Sequence, residues 1–288
     1  MNKIAMLGIG AMGERMAKSL LRAGYQLAVY NRTPARTESL CSAGATGFST
    51  PREAAAASDV IISMVTDDNA SRDVWEHGSD SALAGVGSGQ VCVEMSTVTP
   101  DRVRKLAARV HAAGAGFIDA PVVGSRPQAE SGQLVILAGG DRQVVRQIAH
   151  VFSAMAAATH HMGPVGAGAT AKLVVNFLYA TQVAAVAELL ALSRKGGMED
   201  ATIASLLGAL PVTSPAAAGA LKLMSAGTYA PMFPIDLVVK DLGYFAALAE
   251  GARSSAPVAA AIRRVYENAS AAGFGADNIH GVVQAYAT

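Results

Sequence analysis

Through the first half of the chain, short apolar runs alternate with segments whose apolar positions recur every three or four residues. The runs Ile4–Gly8, Leu27–Tyr30, Val60–Met64, Val91–Met95, Phe117–Ala120 and Leu134–Ala138 predict strands. Gly13–Ala23, Pro34–Ala43 and Pro100–Ala113 predict amphipathic helices between them. Strands fully apolar on both faces, each followed by a helix, imply a doubly wound parallel sheet in an α/β domain. Near Gly163 the rhythm changes. From about Gly166 onward only long Ala/Leu/Val-rich helical patterns remain, punctuated at Gly196-Gly197, Pro211, Pro215, Pro231 and Pro257. The pattern predicts an α/β domain at 1–163 and an all-helical domain at 164–288.

Composition agrees with a large buried core, since 51% of the 288 residues are hydrophobic and 16% are charged. A formal charge of +1 without any basic block removes the electrostatic footprint of a nucleic-acid or acidic-membrane binder. The stretch Leu173–Leu192 is apolar enough to raise a membrane span, but it carries Asn176, Gln182 and Glu188, with Lys172 at its start. Burial inside a soluble protein is the expectation. The N-terminal run is broken by Gly8, Gly10 and Gly13 too early for a signal peptide, which predicts a cytoplasmic protein. Cys41 and Cys92 are expected as two free thiols in apolar surroundings.

Gly8-Ile9-Gly10-Ala11-Met12-Gly13 fits G-x-G-x-x-G between a predicted strand and a predicted helix, the context the motif requires. Gly8 permits the tight turn, Gly10 lets backbone approach a pyrophosphate, and Gly13 lets helix and strand pack closely. The helix start then offers unpaired N–H groups to phosphate. Where an NAD site keeps an acidic residue, this chain reads Tyr30-Asn31-Arg32-Thr33, with Arg36 one turn on. No carboxylate repels a 2′-phosphate there. Arg32 can pair with it, and Asn31 and Thr33 can hydrogen-bond it, so NADP(H) is favoured over NAD(H). The alternative is that Arg32 and Arg36 are solvated loop charges.

At this point the sequence resembles the β-hydroxyacid dehydrogenase family. The resemblance rests on Gly8–Gly13 with Met16-Ala17, Glu94-Met95-Ser96-Thr97, Asp119-Ala120-Pro121-Val122 to Gly124, and Gly132 to Gly140. It continues through Gly166-Ala167-Gly168 with Lys172 and Asn176, and through Phe233 with Lys240-Asp241. Asn31-Arg32-Thr33 is similar to the NADPH-using glyoxylate/succinic semialdehyde reductase branch. The family implies a dinucleotide-binding domain, a long connecting helix, a helical domain, and assembly as homodimers or homotetramers. It also implies a small carboxylate-bearing substrate, with Met64, Val65, Thr97 and Lys240 beside the cofactor.

Lys172, Asn176 and Tyr179 interrupt an otherwise apolar helix at i, i+4 and i+7, which puts them on one stripe. From the residues alone, a functional lysine and a snorkelling one are evenly matched. The resemblance implies the first, with Lys172 as general acid in reduction and base in oxidation, and Asn176 holding it or the substrate oxygen in place. It further implies a substrate site at Val123, Gly124 and Ser125, with Thr97, Phe233 and Asp241 contributing. Val123 departs from the family's usual serine and cannot donate a hydrogen bond. Ser96 and Thr97 end a predicted strand, where ligands of open sheets gather, and they suit an N-cap for the Pro100 helix equally well. Asp67-Asp68 reads as a solvated loop, and His160-His161 lacks a third ligand for zinc. An imine reductase and a non-enzymatic NADPH-binding regulator are the competing readings.

Overall fold

The computed structural model describes residues 1–286. The described residues fold as two compact units, divided between Lys172 and Leu173. The first contains β1 (Lys3–Leu7), α1 (Ala11–Arg22), β2 (Gln26–Tyr30), α2 (Glu38–Ser42), β3 (Thr46–Gly47), α3 (Pro51–Ala56) and β4 (Val60–Ser63). It continues with α4 (Asp68–Glu76), β5 (Val91–Glu94), α5 (Pro100–Ala112), β6 (Gly116–Asp119), β7 (Val122–Val123) and α6 (Arg126–Glu130). The final elements before the long helix are β8 (Leu134–Gly140), α7 (Arg142–Gln147), α8 (Ala149–Ser153) and β9 (Ala156–Gly163).

The sheet runs β3-β2-β1-β4-β5-β6-β8-β7, with β9 also paired to β8. From β3 to β6 every pairing is parallel, β8 is antiparallel to β6 and β7, and β9 is parallel to β8. Each central parallel strand is buried on both sides, as continuous apolar runs require. Ile4, Met6, Val60, Ile62, Val93 and Ile118 enter one core cluster, whereas Ala5, Leu7, Ile61, Cys92 and Phe117 enter another. That period of two, with helices on both faces, is the doubly wound architecture.

Three details differ from the sequence expectation. Ala156–Gly163 forms β9, whose single buried residue and half-exposed length carry no apolar alternation to announce a strand. Pro34–Ala43 is a single 3₁₀ turn at Pro34–Thr37 followed by the short α2, not one amphipathic helix. Cys41 is exposed while Cys92 is buried, because α2 turns only Leu40 inward. Burial pushes the Cys92 thiol well above its usual range.

α9 (Ala167–Lys195) begins at the end of the sheet. Asp119, the last residue of β6, accepts hydrogen bonds from the backbone N–H groups of Gly166 and Ala169, each at 2.8 Å. Its carboxylate therefore supplies the cap that a helix start needs, from 47 and 50 residues away. Gly139 and Gly168 provide the clearance: a methyl group on Gly139 would come within 2.5 Å of the Asp119 carboxylate. Burial raises the Asp119 pKa more than the helix-start N–H donors lower it.

The second unit contains most of α9, then α10 (Asp200–Ala209), α11 (Pro215–Ser225), α12 (Ile235–Gly251) and α13 (Pro257–Ala269). By length and composition alone α9 could cross a membrane. Its Ala180, Val183, Ala184, Ala187 and Leu190 instead enter a core with Leu221, Met224, Val238, Leu242 and Tyr266. The fully buried Tyr266 hydroxyl donates to Ala180 O at 2.9 Å, which satisfies the polar end of the largest side chain in that core.

Replacing Asp119 by Ala strands two buried N–H donors, and the expected cost is roughly 3 kcal/mol of stability. Asp119→Asn keeps an acceptor for one of them and should cost less. Urea denaturation of the two variants should return that order.

Candidate active site

All strands from β3 to β6 are parallel, so their carboxyl ends gather at one edge of the sheet, where open α/β sheets hold ligands. Hydrogen bonds link those ends in sequence. Gly8 N donates to Tyr30 O, Met64 N to Leu7 O, Met95 N to Ser63 O and Ala120 N to Glu94 O. Val65 N donates to Ser96 Oγ at 2.8 Å, and Ser96 N to Glu94 Oε1 at 2.9 Å. Glu94 is fully buried, and its other oxygen accepts from Ser71 Oγ at 2.7 Å and Trp75 Nε1 at 3.1 Å. One carboxylate thus orients the loops that carry Met64, Val65 and Thr97.

The glycine turn divides its three glycines by use. Gly8 sits at φ +98°, and a side chain there would strike Met64 O; one on Gly13 would strike Gly8 O. Both glycines serve packing. Gly10 faces open space, with no heavy atom within 4 Å of where a Cβ would lie. It is also the N-cap of the 12-residue α1 and carries no capping side chain. A bare helix start with an uncovered glycine fits a dinucleotide pyrophosphate, with Gly10, Ala11, Met12 and Gly13 supplying backbone. A cavity of about 280 Å³ opens there beside Ile9, Gly10, Ala11, Ala35 and Arg36. Glu14 also lines it, and the Lys18 ammonium at 2.6 Å holds that carboxyl below its ordinary pKa.

Asn31 turns its amide to the glycine turn. Its Oδ1 accepts from Ile9 N–H at 2.9 Å and its Nδ2 donates to Thr33 O at 2.9 Å. Asn31 therefore fixes the turn and keeps one amide hydrogen for a ligand. Arg32, Thr33 and Arg36 are exposed at the end of β2.

Ser96 and Thr97 do not cap α5. Thr99 does, accepting from Arg102 N–H at 3.1 Å, because the chain runs extended through Thr99 before Pro100 starts the helix. Asp67 and Asp68 are likewise engaged: Asp67 caps α4 through Ala70 N–H, and Asp68 accepts from both Thr99 N and Thr99 Oγ1. Val123 pairs with Val135 in the β7–β8 ladder, and Gly124 follows at φ +123°. Both donors of Ser125, its N–H and its hydroxyl, go to Gln128 Oε1 at 3.0 Å. Lys172 lies on α9 and is 9% exposed.

In the second unit Asn176 Nδ2 donates to Asp241 Oδ2 at 2.6 Å, and both residues are buried. Lys240 Nζ pairs with Asp241 Oδ1 at 2.9 Å and lies 4.9 Å from the centre of the Tyr244 ring. Asp241 thus holds Asn176 on one oxygen and Lys240 on the other. Phe233 precedes α12 and is fastened by its backbone, its N–H donating to Asn278 Oδ1 at 2.9 Å and its carbonyl accepting from Ile279 N at 2.8 Å. Asn278 Nδ2 lies 2.7 Å from His280 Nδ1, and His280 Nε2 lies 3.0 Å from the Tyr179 hydroxyl. Sequence reasoning missed Asn278 and His280. Their one signal was a pair of polar residues beside the apolar run of Ile279, Val282 and Val283.

Comparison with known proteins follows the same lines. Residues 3–163 match the family described as the NAD binding domain of 6-phosphogluconate dehydrogenase. Residues 166–286 match the NAD-binding family of NADP-dependent 3-hydroxyisobutyrate dehydrogenase. The chain is 32% identical over 282 residues to glyoxylate/succinic semialdehyde reductase 2, chloroplastic, of Arabidopsis thaliana, covering 98% of this chain and 78% of that one. It is 31% identical over 284 residues to reductase 1 of the same plant, covering 98% of each. Among solved structures, Mycobacterium tuberculosis 3-hydroxyisobutyrate dehydrogenase with L-serine superposes at a TM-score of 0.90 and 26% identity, covering 99% of this chain and 98% of that one.

Burial lowers the His280 pKa to about 4. A depressed histidine is neutral when folded but takes up a proton when unfolded, so its contribution is present above the unfolded pKa near 6.5 and is lost as pH falls towards 4. Between those limits wild type should lose about 3 kcal/mol more stability than His280→Gln, whose residue does not titrate. Urea titrations of both proteins at stepped pH should show the two curves diverging only within that window.

Proposed function

The chain belongs to the β-hydroxyacid dehydrogenase family and is an NAD(P)-dependent oxidoreductase, and on that premise we propose that it reduces small aldehyde or keto acids with NADPH. Glyoxylate and succinic semialdehyde represent the substrate class. Similarity over 98% of the chain to two reductases named for those compounds is the observation that carries this reading.

NADPH is preferred for a reason found at the end of β2. Asn31 stands where an acidic residue would bind the ribose hydroxyls of NAD, and its side chain is anchored to the glycine turn. Arg32 beside it is exposed and supplies the positive charge that a 2′-phosphate needs. When bound, the nicotinamide cofactor supplies or takes up the hydride.

The protein's part is protons and position. Lys172 donates a proton to the carbonyl oxygen in reduction and recovers it from the alcohol in oxidation. Asn176, with one N–H engaged by Asp241, keeps its other N–H and its Oδ1 to orient the reacting oxygen. Thr97 and Phe233 complete the substrate contacts. The carboxylate binds at the Val123-Gly124-Ser125 turn through Gly124 backbone, because Ser125 has given both donors to Gln128.

Self-association belongs to the same proposal. Val174, Leu178, Leu189 and Leu192 are between 46% and 69% exposed along α9, an apolar face suited to a second copy in a homodimer or homotetramer.

Lys172→Ala should lower turnover on the order of 10²-fold with little change in NADPH affinity, and near-normal turnover would remove the acid/base role. Arg32→Ala should raise KM for NADPH far more than for NADH. Assays with glyoxylate, succinic semialdehyde, other aldehyde acids and a cyclic imine test the substrate class, and turnover of the imine alone would overturn it. Light scattering should find no 29.3 kDa species as the main component.

A further inference from the structure

The chain Phe233–Asn278–His280–Tyr179, buried at Asn278 and His280 and half-buried at its ends, has one consistent arrangement of hydrogens. Phe233 N–H needs an acceptor, so the oxygen of the Asn278 amide faces it at 2.9 Å. The Asn278 NH₂ group then faces His280 Nδ1 at 2.7 Å. An NH₂ group only donates, so Nδ1 must be the bare, accepting nitrogen. A neutral imidazole carries its single hydrogen on the other nitrogen, and His280 is held neutral by burial. Nε2–H therefore donates to the Tyr179 oxygen at 3.0 Å. Among the described residues, Tyr179 has no hydrogen-bond partner besides His280. Its own hydroxyl hydrogen is left for an outside acceptor.

Tyr179 occupies the α9 stripe of Asn176, three residues further along. We infer that Asn278 sets the tautomer of His280 and so makes the Tyr179 hydroxyl an obligate hydrogen-bond donor, a positioning group for a carbonyl or carboxylate oxygen of the substrate. The inference rests on the proposed role of that stripe of α9 in substrate binding. It also gives the Phe233 anchor a second purpose: the same amide fixes the backbone of one proposed substrate residue and the hydrogen-bonding sense of another.

Asn278→Asp isolates the effect. A carboxylate still accepts from Phe233 N–H, so the anchor survives, but its second oxygen also accepts. It requires a hydrogen on Nδ1. In the neutral ring Nε2 then becomes the acceptor and consumes the Tyr179 hydrogen. In the imidazolium, both nitrogens donate.

The test uses the full chain with ¹⁵N-labelled histidine, the His280 resonances being assigned by their loss in His280→Asn. Wild type at pH 7.5 should show the Nε2–H tautomer, and Asn278→Asp should show hydrogen on Nδ1. In kinetics, Tyr179→Phe should raise KM for the aldehyde acid roughly fivefold to tenfold, the loss of one hydrogen bond, with KM for NADPH within twofold of wild type. If Asn278→Asp yields the neutral Nδ1–H ring, it should give the same split, and combining it with Tyr179→Phe should add little. If it yields imidazolium, Tyr179 keeps its hydrogen and KM should stay near wild type. An Nδ1–H tautomer in wild type, or an unchanged aldehyde-acid KM in Tyr179→Phe, would overturn the inference. A wild type inactive on every aldehyde acid would instead sink the functional reading, while the ring spectrum still decides the tautomer.

Discussion

The start of α9 depends on the carboxylate of Asp119. The residue ends a central strand, and both of its oxygens are taken by N–H groups that open the 29-residue helix. Gly139 and Gly168 let that contact happen, since any side chain at either position would enter the space the carboxylate fills. The position of Lys172 follows from it, because Lys172 lies within the first two turns after the cap. The acid/base role proposed for Lys172 asks for a fixed root under a flexible stem, and a buried cap on the sheet provides one.

A similar division holds at the edge of the sheet. Nothing in the glycine turn is a reactive group; its contribution is shape, with two glycines used up by packing and the third left uncovered. Glu94 is as buried as Asp119 and plays a related part, satisfying Ser96, Ser71 and Trp75 while Ser96 holds Val65. Buried carboxylates are costly unless every oxygen is partnered, and here the partners are the backbone and side chains of the loops that need to be held. Polar burial in this domain therefore serves loop placement.

Much of this was readable in the sequence because the signals were local. β1, β2, β4, β5, β6 and β8 are apolar runs bounded by turn residues, and the glycine turn sits between its strand and its helix. The strand β9 was not readable, because an edge strand with one buried residue has no reason to be apolar. Thr99 took the capping role from Ser96 and Thr97 because the chain remains extended as far as Thr99. The group of Asn278, His280 and Tyr179 was hidden for a different reason. Its members are 101 residues apart at the extremes, and only folding makes a histidine and an asparagine in an apolar tail into partners of a helix stripe. Ser125 shows the converse, a residue whose type suits an anion while its donors are given to Gln128.

Asn31 and Arg32 are neighbours with unrelated duties. Asn31 is bolted to the glycine turn through Ile9 N–H and Thr33 O, whereas Arg32 makes no hydrogen bond or ion pair among the described residues. Mechanical support thus rests on Asn31, and the electrostatic choice proposed for this site rests on a separate position. If Arg32 selects the dinucleotide as proposed, a lineage could alter the charge at position 32, and with it the pool on which the enzyme draws, without loosening the turn that any dinucleotide requires. Under that proposal, cofactor preference is a trait free to drift on a scaffold that is not.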